Sequence, residues 1–469
     1  MRMQWIGSVT TLRQVLVLGL LAILAIASDL TSGPVVNNGD FWRVARAARI
    51  ELIAWEPLHA HYPIRPAAAS ESALQSSTLA WLVSGLRAAH AVLGQTEFRT
   101  STSWLALTAI FVTGVGWLLL GATIPERSLL AAISLASYTL FAFYFKSLYE
   151  EAVVLALLPW LIGGVMRAYA GEGWAVFGVT AAAALAAKAT MIFALPVVAF
   201  IAIDAEMRNR ARKAVVFVLC SLLVAAAAVP YLFIFGTGDT RMSENAYNRF
   251  YNGIGWSAQH VADWPTTNFT ARFRYFYAHL DEMQARSANW EPIRGERFLG
   301  TSYYPTGRAL ADTPAPDREH RHALLRTLVE QGTIPKYLQY LASHPTLLAE
   351  HLTSIWRVTW NSEYRLEYLR TQQHRGAAWA ERFVAVRDTP LRHLGVLFLL
   401  AGLALLLLAT TYSWMLVVVF WFLGAPLFIV FGDGYSEFER HLMPYVMLTP
   451  VVGLAVVQSR RLRQAGRKY

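Results

Sequence analysis

The stretch WAVFGVTAAAALAAKATMIFALPVVAFIAI, residues 174–203, decides the topology of this chain, because it can form one membrane helix or two. One helix would exceed the roughly 20 residues that cross a bilayer and would bury the charge of Lys188 near the bilayer centre, at high cost. The flanking segments MRAYAGEGW and EMRNRARK both resemble cytoplasmic helix ends. An even number of crossings must then separate them. We therefore predict two short helices, with Lys188 at the outer face, within reach of water or an anion.

The composition is that of a polytopic helical membrane protein. Of 469 residues, 55% are hydrophobic and 15% are charged, whereas soluble domains carry about 25% charged residues. Runs of roughly 18 or more apolar residues predict membrane spans. We predict ten spans, near residues 12–28, 104–121, 129–146, 152–168, 174–187, 189–203, 214–235, 391–409, 413–431 and 441–458.

Ten spans place both termini in the cytoplasm and divide the chain into three parts. The N-terminal membrane module covers residues 1–236 and includes a first outer loop at 29–103. Residues 237–390 form a large outer segment in which 318–331, 335–358 and 377–386 show helical periodicity. The C-terminal membrane module, 391–469, ends in the basic tail RRLRQAGRKY. The predicted fold class is therefore an all-α membrane protein with two large outer-face segments.

The net charge of +10 does not indicate nucleic-acid binding, because the densest basic clusters, RNRARK and RRLRQAGRK, each border a hydrophobic run. The expected partner of these clusters is the surface of the membrane lipids. The single cysteine, Cys220, excludes an internal disulfide.

Polar residues gather on the predicted outer face, beside the two large loops. Asp40 follows the first span, and Lys188 lies in the turn of the hairpin at 174–203. Acidic and basic residues stand at the start of the fourth span and of the last span. These helix-opening residues are Glu150, Glu151, Glu437, Glu439, Arg440 and His441. Each also has a structural interpretation: Asp40 as a helix cap, the glutamates as partners of a helix dipole, and the bases as interface anchors. Their convergence on one face favours a functional site.

The segment NNGDFWRVARAARI, residues 37–50, has the pattern of an amphipathic helix in the lipid interface. Phe41, Val44, Ala45, Ala48 and Leu52 fall on one side, which we expect to face lipid. Arg43, Arg46 and Arg49 fall on the other side. These arginines bind lipid phosphates in general, or one specific lipid-linked phosphate through the bidentate guanidinium.

The sequence does not predict a required cofactor or metal. The pairs His59/His61 and His320/His322 have no carboxylate at a convincing spacing. Phosphate-binding glycine loops, nucleophile elbows and dinucleotide fingerprints are absent from the sequence.

The chain resembles the GT-C glycosyltransferases, polytopic enzymes that use a polyprenyl-phosphate-linked sugar as donor. The large first outer loop with an early acid, the loop FYFKSLYEEA and the hairpin AAKATMIFALP carry this resemblance. NAYNRFYNGI at 245–254 and EFERHLMPY at 437–445 resemble a bacterial branch of surface-glycan hexose transferases. We expect no soluble C-terminal domain of the kind that the protein-modifying members carry, and therefore do not expect a protein acceptor.

The resemblance implies roles for individual residues. Asp40 matches the catalytic acid of the first loop and would be the general base. Glu150 or Glu151 would orient the acceptor or assist the base. Arg440, Lys188 and His441 match cations near the donor phosphate. Arg43 and Arg46 are further candidates for contact with the donor phosphate or lipid, because of the arginine pattern at 37–50 rather than the resemblance. Candidates for the acceptor or its loops are Glu437, Glu439, Asn245 and Asn248.

The predicted function is transfer of a hexose from a polyprenyl-phosphate donor to a surface glycan or glycolipid, outside the bacterial cytoplasmic membrane. One alternative is an O-antigen-type polymerase or ligase, which would take a glycan from a lipid diphosphate. A transporter or flippase is a further alternative, which would place ionisable residues near the bilayer midplane.

Overall fold

The computed structural model describes residues 2–31, 44–45, 48, 50, 61–63, 77–95, 97–121, 124–172, 174–208, 213–236, 334–360, 378–433 and 438–466. This part of the chain is almost entirely helical. It also contains one antiparallel pair of three-residue strands, in which Tyr62 pairs with Phe98.

In chain order, the α-helices and strands of the first half are α1 (Arg2–Thr31), β1 (His61–Pro63), α2 (Thr78–Val92), β2 (Glu97–Arg99), α3 (Thr100–Gly121), α4 (Ile124–Phe141), α5 (Glu151–Tyr169), α6 (Ala175–Leu185), α7 (Leu195–Arg208) and α8 (Lys213–Gly236). Short 3₁₀ helices occupy Ala142–Lys146 and Ala189–Ala194. The second half contains α9 (Ile334–Ser343), α10 (Pro345–Trp360), α11 (Ala378–Leu391), α12 (Leu394–Leu408), α13 (Tyr412–Val419), α14 (Ala425–Asp433) and α15 (Phe438–Gly466). A π-helix, Phe420–Gly424, joins α13 to α14.

Six helical segments in the described part are long and apolar enough to cross a membrane. They are Gln14–Thr31, Ser101–Leu120, Ser128–Lys146, Glu151–Tyr169, Tyr412–Phe431 and Arg440–Gln464. The pair α11 and α12, bent by 51°, makes a seventh if it is one span. The predicted count of ten is not confirmed, because three predicted spans correspond to shorter apolar helices, Ala175–Leu185, Ala189–Ala205 and Val218–Pro230.

Helix α5 forms the centre of the bundle and packs against α3, α6 and α15. Most of its side chains are buried, from Glu151 at its first residue to Tyr169 at its last. Close packing depends on small residues where α5 meets its neighbours. A Cβ atom added to Gly164 would lie 2.8 Å from the backbone Cα of Phe177 in α6.

Gly164→Ala is therefore expected to lower the free energy of unfolding by about 1–3 kcal/mol, because the two helices must separate to admit the methyl group. Gly116→Ala is the matched control, since an added Cβ at Gly116 in α3 meets no atom within 4 Å. We expect the control to change stability by less than about 0.5 kcal/mol. Unfolding in detergent measures both effects, and equal losses in the two variants would contradict this packing argument.

Charged and polar side chains lie at two opposite ends of the bundle. We call one the Glu151 end, defined by Asp29, Lys146, Glu151, Lys188 and Arg440. The Arg461 end is defined by Glu126, Tyr169, Asp204 and Arg461. Helices α5 and α15 run parallel, because Arg440 near the start of α15 contacts Glu151 at the start of α5, and Gln458 further along α15 contacts Met166 further along α5. Both helices therefore begin at the Glu151 end.

Two contacts at the Arg461 end each join a pair of helices: α15 with α4, and α5 with α7. Arg461 of α15 lies 2.6 Å from the Glu126 carboxylate of α4. The Tyr169 hydroxyl of α5 donates to Asp204 Oδ2 of α7 at 2.7 Å.

Helices of the predicted large outer segment pack on the bundle. The periodic stretch at 335–358 forms two helices, α9 and α10, separated at His344. Pro345 accounts for the break, because proline has no backbone N–H and disfavours a helical residue before it. Helix α10 packs against α12 and α14, and its buried His351 stacks on Phe431 with ring centroids 6.1 Å apart.

The helical turn that begins at Val44 differs from the prediction in its environment. Val44, Ala45 and Ala48 are buried within the hydrophobic core, and the Ala48 N–H donates to the Val44 carbonyl at 2.9 Å. For these three residues the prediction that the apolar side faces lipid is therefore wrong, whereas Phe41 and Leu52 lie outside the described residues. Burial against protein removes the same apolar surface from water, so the amphipathic pattern alone does not distinguish the two environments.

Candidate functional site

Glu151 is the first residue of α5, where the positive end of the helix dipole stabilises a carboxylate. A tight turn delivers the chain to this position. The Ser147 hydroxyl donates to the Tyr144 carbonyl at 2.7 Å and accepts from the Tyr149 N–H at 3.2 Å. The helix therefore starts at the Glu151 end with its acid facing the protein interior, where Glu151 is 0% exposed.

Lys188 lies in an extended conformation, φ −151° and ψ 146°, between α6 and the 3₁₀ helix that follows. Its ammonium group is 2.6 Å from Glu151 Oε1. The lysine is only 2% exposed, so the prediction that it lies within reach of water is wrong. Glu151 supplies the opposite charge that makes burial of the lysine tolerable.

Arg440 lies in the first turn of α15 and binds the same carboxylate oxygen. Its Nε donates to Glu151 Oε1 at 3.3 Å, and its guanidinium carbon lies 4.4 Å from the ring centroid of Tyr149. Arg440 is 2% exposed. A cation over an aromatic face is stabilised by the ring quadrupole, so Tyr149 holds the guanidinium plane in place.

These three side chains form one buried ionic cluster, which we call the Glu151 cluster (Glu151, Lys188 and Arg440). With all three groups ionised, the cluster carries one net positive charge. The second carboxylate oxygen, Glu151 Oε2, is buried and makes no hydrogen bond to the described residues. The arrangement is chemically suited to an anionic ligand that also offers a hydroxyl group to the carboxylate.

A second polar cluster at the same end joins α1, α3 and the 3₁₀ helix at 142–146. Asp29 Oδ1 accepts from the Trp104 indole N–H at 3.0 Å, and Lys146 Nζ donates to the Asp29 backbone carbonyl. Sequence reasoning missed both Asp29 and Lys146. In the sequence, each of these two residues is marked only as a charged residue at the end of an apolar segment, which does not indicate its partner.

Arg387 of α11 connects the end of the predicted large outer segment to α1. Its guanidinium donates to Asp388 Oδ1 at 2.8 Å and to Ser28 Oγ at 3.5 Å. This contact holds α11, which precedes α12, next to Ser28 and Asp29 of α1. This residue was also missed, because its pairing depends on a helix more than three hundred positions away.

The predicted site residues are placed as follows. Glu151 contacts both Lys188 and Arg440. Glu150 occupies the N-cap position of α5, without a capping hydrogen bond from its side chain, and is buried. His441 is buried next to Arg440 in sequence. Glu439 lies in α15, but its side chain is not among the described positions. Outside the described residues lie Asp40, Arg43, Arg46, Arg49, Glu437, Asn245 and Asn248.

Metal-binding groups are not found among the described residues, in which three or more His, Cys, Asp or Glu side chains nowhere converge. The histidines at 59, 320 and 322 fall outside this part of the chain.

Comparison with known proteins found no matching family model, no matching curated protein and no matching solved structure. The Glu151 cluster is therefore interpreted from its own chemistry.

Proposed function

We propose that this chain is a membrane glycosyltransferase with a GT-C-like bundle. It transfers a hexose from a polyprenyl-phosphate donor to a surface glycan or glycolipid. The reaction takes place at the outer face of the bacterial cytoplasmic membrane, and the Glu151 end faces outward.

The observation that carries this proposal is the Glu151 cluster. Lys188 and Arg440 are the residue types that bind phosphate best, one as a compact point charge and the other as a bidentate fork. Preorganised cations stabilise the negative charge that develops on a phosphate leaving group, most strongly where water is excluded. At 0–2% exposure these three groups are screened from solvent.

The position of the cluster along the helices also supports an interfacial site. Glu151 is the first residue of its candidate span, and Arg440 is the first residue of another. A lipid-linked substrate could leave its chain in the bilayer and present only its head group at this end. A transport pathway would instead place the charged pair in the middle of the spans.

In the proposed reaction, Asp40 takes the proton from the acceptor hydroxyl as that oxygen attacks the sugar carbon and the bond to the donor phosphate breaks. Lys188 and Arg440, with His441 beside them, hold the phosphate that leaves. Glu151 positions the two cations, and its Oε2 atom accepts a hydrogen bond from a substrate hydroxyl.

The direct test uses the purified protein in lipid nanodiscs, with a mixture of lipid-linked glycan acceptors. Two labelled donors are assayed separately: a single-sugar polyprenyl phosphate and a glycan on lipid diphosphate. We expect hexose transfer from the single-sugar polyprenyl phosphate, without a nucleotide sugar. Transfer only from a glycan on lipid diphosphate would identify a polymerase or ligase instead. Turnover of neither donor, by protein that remains folded, would refute the proposal.

A further inference from the structure

The end of α6 and the turn that follows it, residues Ala183–Thr190, which we call the Lys188 turn, are held by hydrogen bonds from two other helices. On one side, the backbone N–H of Thr78 donates to the Ala186 carbonyl at 3.1 Å, and the Thr78 hydroxyl donates to the Ala183 carbonyl at 2.7 Å. These carbonyls belong to the C-terminal end of α6, where helical partners are lacking. Thr78, at the start of α2, thus donates the hydrogen bonds that these carbonyls at the end of α6 lack within their own helix.

On the other side, the Tyr445 hydroxyl of α15 donates to the Thr190 backbone carbonyl. Tyr445 is fully buried. It lies on the same helix as Arg440, five residues further along. One helix therefore carries both a cation of the Glu151 cluster and the group that holds the segment bearing the other cation.

The position of Tyr445 is itself supported by the π-helix. Trp421, within this π-helix, lies against the Tyr445 ring with centroids 5.2 Å apart. The Trp421 indole N–H approaches Thr449 Oγ1 at 3.4 Å, and that hydroxyl donates to the Tyr445 carbonyl at 2.9 Å. A π-helix contains one extra residue per turn, which changes the direction of neighbouring side chains.

We propose that Tyr445 and Thr78 are positioning residues that hold the Lys188 ammonium on Glu151 from two sides. They thereby set the affinity of the Glu151 cluster for the donor phosphate. This inference rests on the proposed function for its ligand. Its geometric part, the restraint of Lys188, does not depend on that function.

The test compares Tyr445→Phe and Thr78→Val with two matched controls. Tyr445→Phe keeps the ring against Trp421 and removes only the hydroxyl. Tyr169→Phe is its control, since it removes a buried tyrosine hydrogen bond at the Arg461 end. Thr180→Val is the control for Thr78→Val, because the Thr180 hydroxyl donates only to carbonyls of its own helix α6.

We expect each test variant to raise the donor KM about fivefold to tenfold, with kcat changed less than about twofold, which corresponds to one lost hydrogen bond. Inhibition by polyprenyl phosphate without sugar should weaken by the same factor. The controls should leave both constants unchanged. Equal KM values in test and control variants, or a loss confined to kcat, would overturn the inference.

A chemical readout separates this inference from the proposed function. Acetylation of Lys188 by acetic anhydride, followed by mass spectrometry, should be about fivefold faster in Tyr445→Phe than in Tyr169→Phe, because loss of one hydrogen bond loosens the turn. Faster acetylation in a protein with no transferase activity would support the restraint and reject the function. Unchanged acetylation in an active protein would reject the restraint alone.

Discussion

Glu151→Gln should destabilise the protein by about 3–5 kcal/mol, the range for removing one partner of a buried ion pair. The substitution preserves the shape of the side chain but leaves Lys188 and Arg440 buried without the carboxylate that both contact at Oε1. The measurement is unfolding in detergent by heat or denaturant. This is the largest stability effect that we expect from a single isosteric change in the described part of the chain.

Glu172→Gln provides the matched control for this prediction. Its carboxylate lies 3.8 Å from Arg167 and its side chain is 52% exposed, so the expected change is within about 0.5 kcal/mol. Lys188→Met combined with Glu151→Gln should recover part of the loss, with a coupling energy of about 0.5–3 kcal/mol in a double-mutant cycle. A Glu151→Gln protein as stable as the control would show that the cluster contributes little to folding.

The second large effect concerns activity. Asp40→Asn is expected to lower the transfer rate by about 10²–10⁴-fold, the contribution of a general base, while the protein folds and inserts normally. The donor assay measures the rate. Asparagine caps a helix as well as aspartate does, so this change removes the base without removing the cap.

Two further variants separate the possible roles of Asp40. Glu71→Gln removes another acid from the segment 29–103, which follows the first predicted span, and should leave the transfer rate unchanged. Asp40→Ala removes both base and cap and should add a stability loss of about 1 kcal/mol to the loss of activity. Full activity in Asp40→Asn, with a stability loss only in Asp40→Ala, would make Asp40 a cap rather than a base.

The interruption of the apolar stretch at 174–203 could be predicted from Lys188 together with the two flanking segments, which require an even number of crossings between them. A buried lysine without a partner is costly, and the structure breaks the helix there, with α6 ending at Leu185 and Lys188 in an extended conformation. The number of full spans could not be predicted in the same way. Hydropathy measures how apolar a segment is, but helix length also depends on packing, and α6 is only 11 residues long.

Two other features, the environment of the helical turn at Val44 and the contact between Asp29 and Lys146, could not be predicted from sequence patterns. Periodicity identified the apolar side of the turn, but lipid and protein interior are equally apolar, so the pattern could not tell which one covers it. Asp29 and Lys146 stand at the ends of separate helices, and nothing local in either segment indicates the other. Their contact exists only because α1 packs against α4 and the 3₁₀ helix at 142–146.

The sequence by itself determined that this protein is a helical membrane protein and that charged residues collect at the ends of its apolar segments. These properties follow from the cost of placing charge in hydrocarbon, which acts on each segment separately. Only the tertiary structure decided that Glu151 contacts both Lys188 and Arg440, and that all three side chains are buried. Such pairings join residues up to 289 positions apart, and they depend on the packing of α5, α6 and α15, which no single segment encodes.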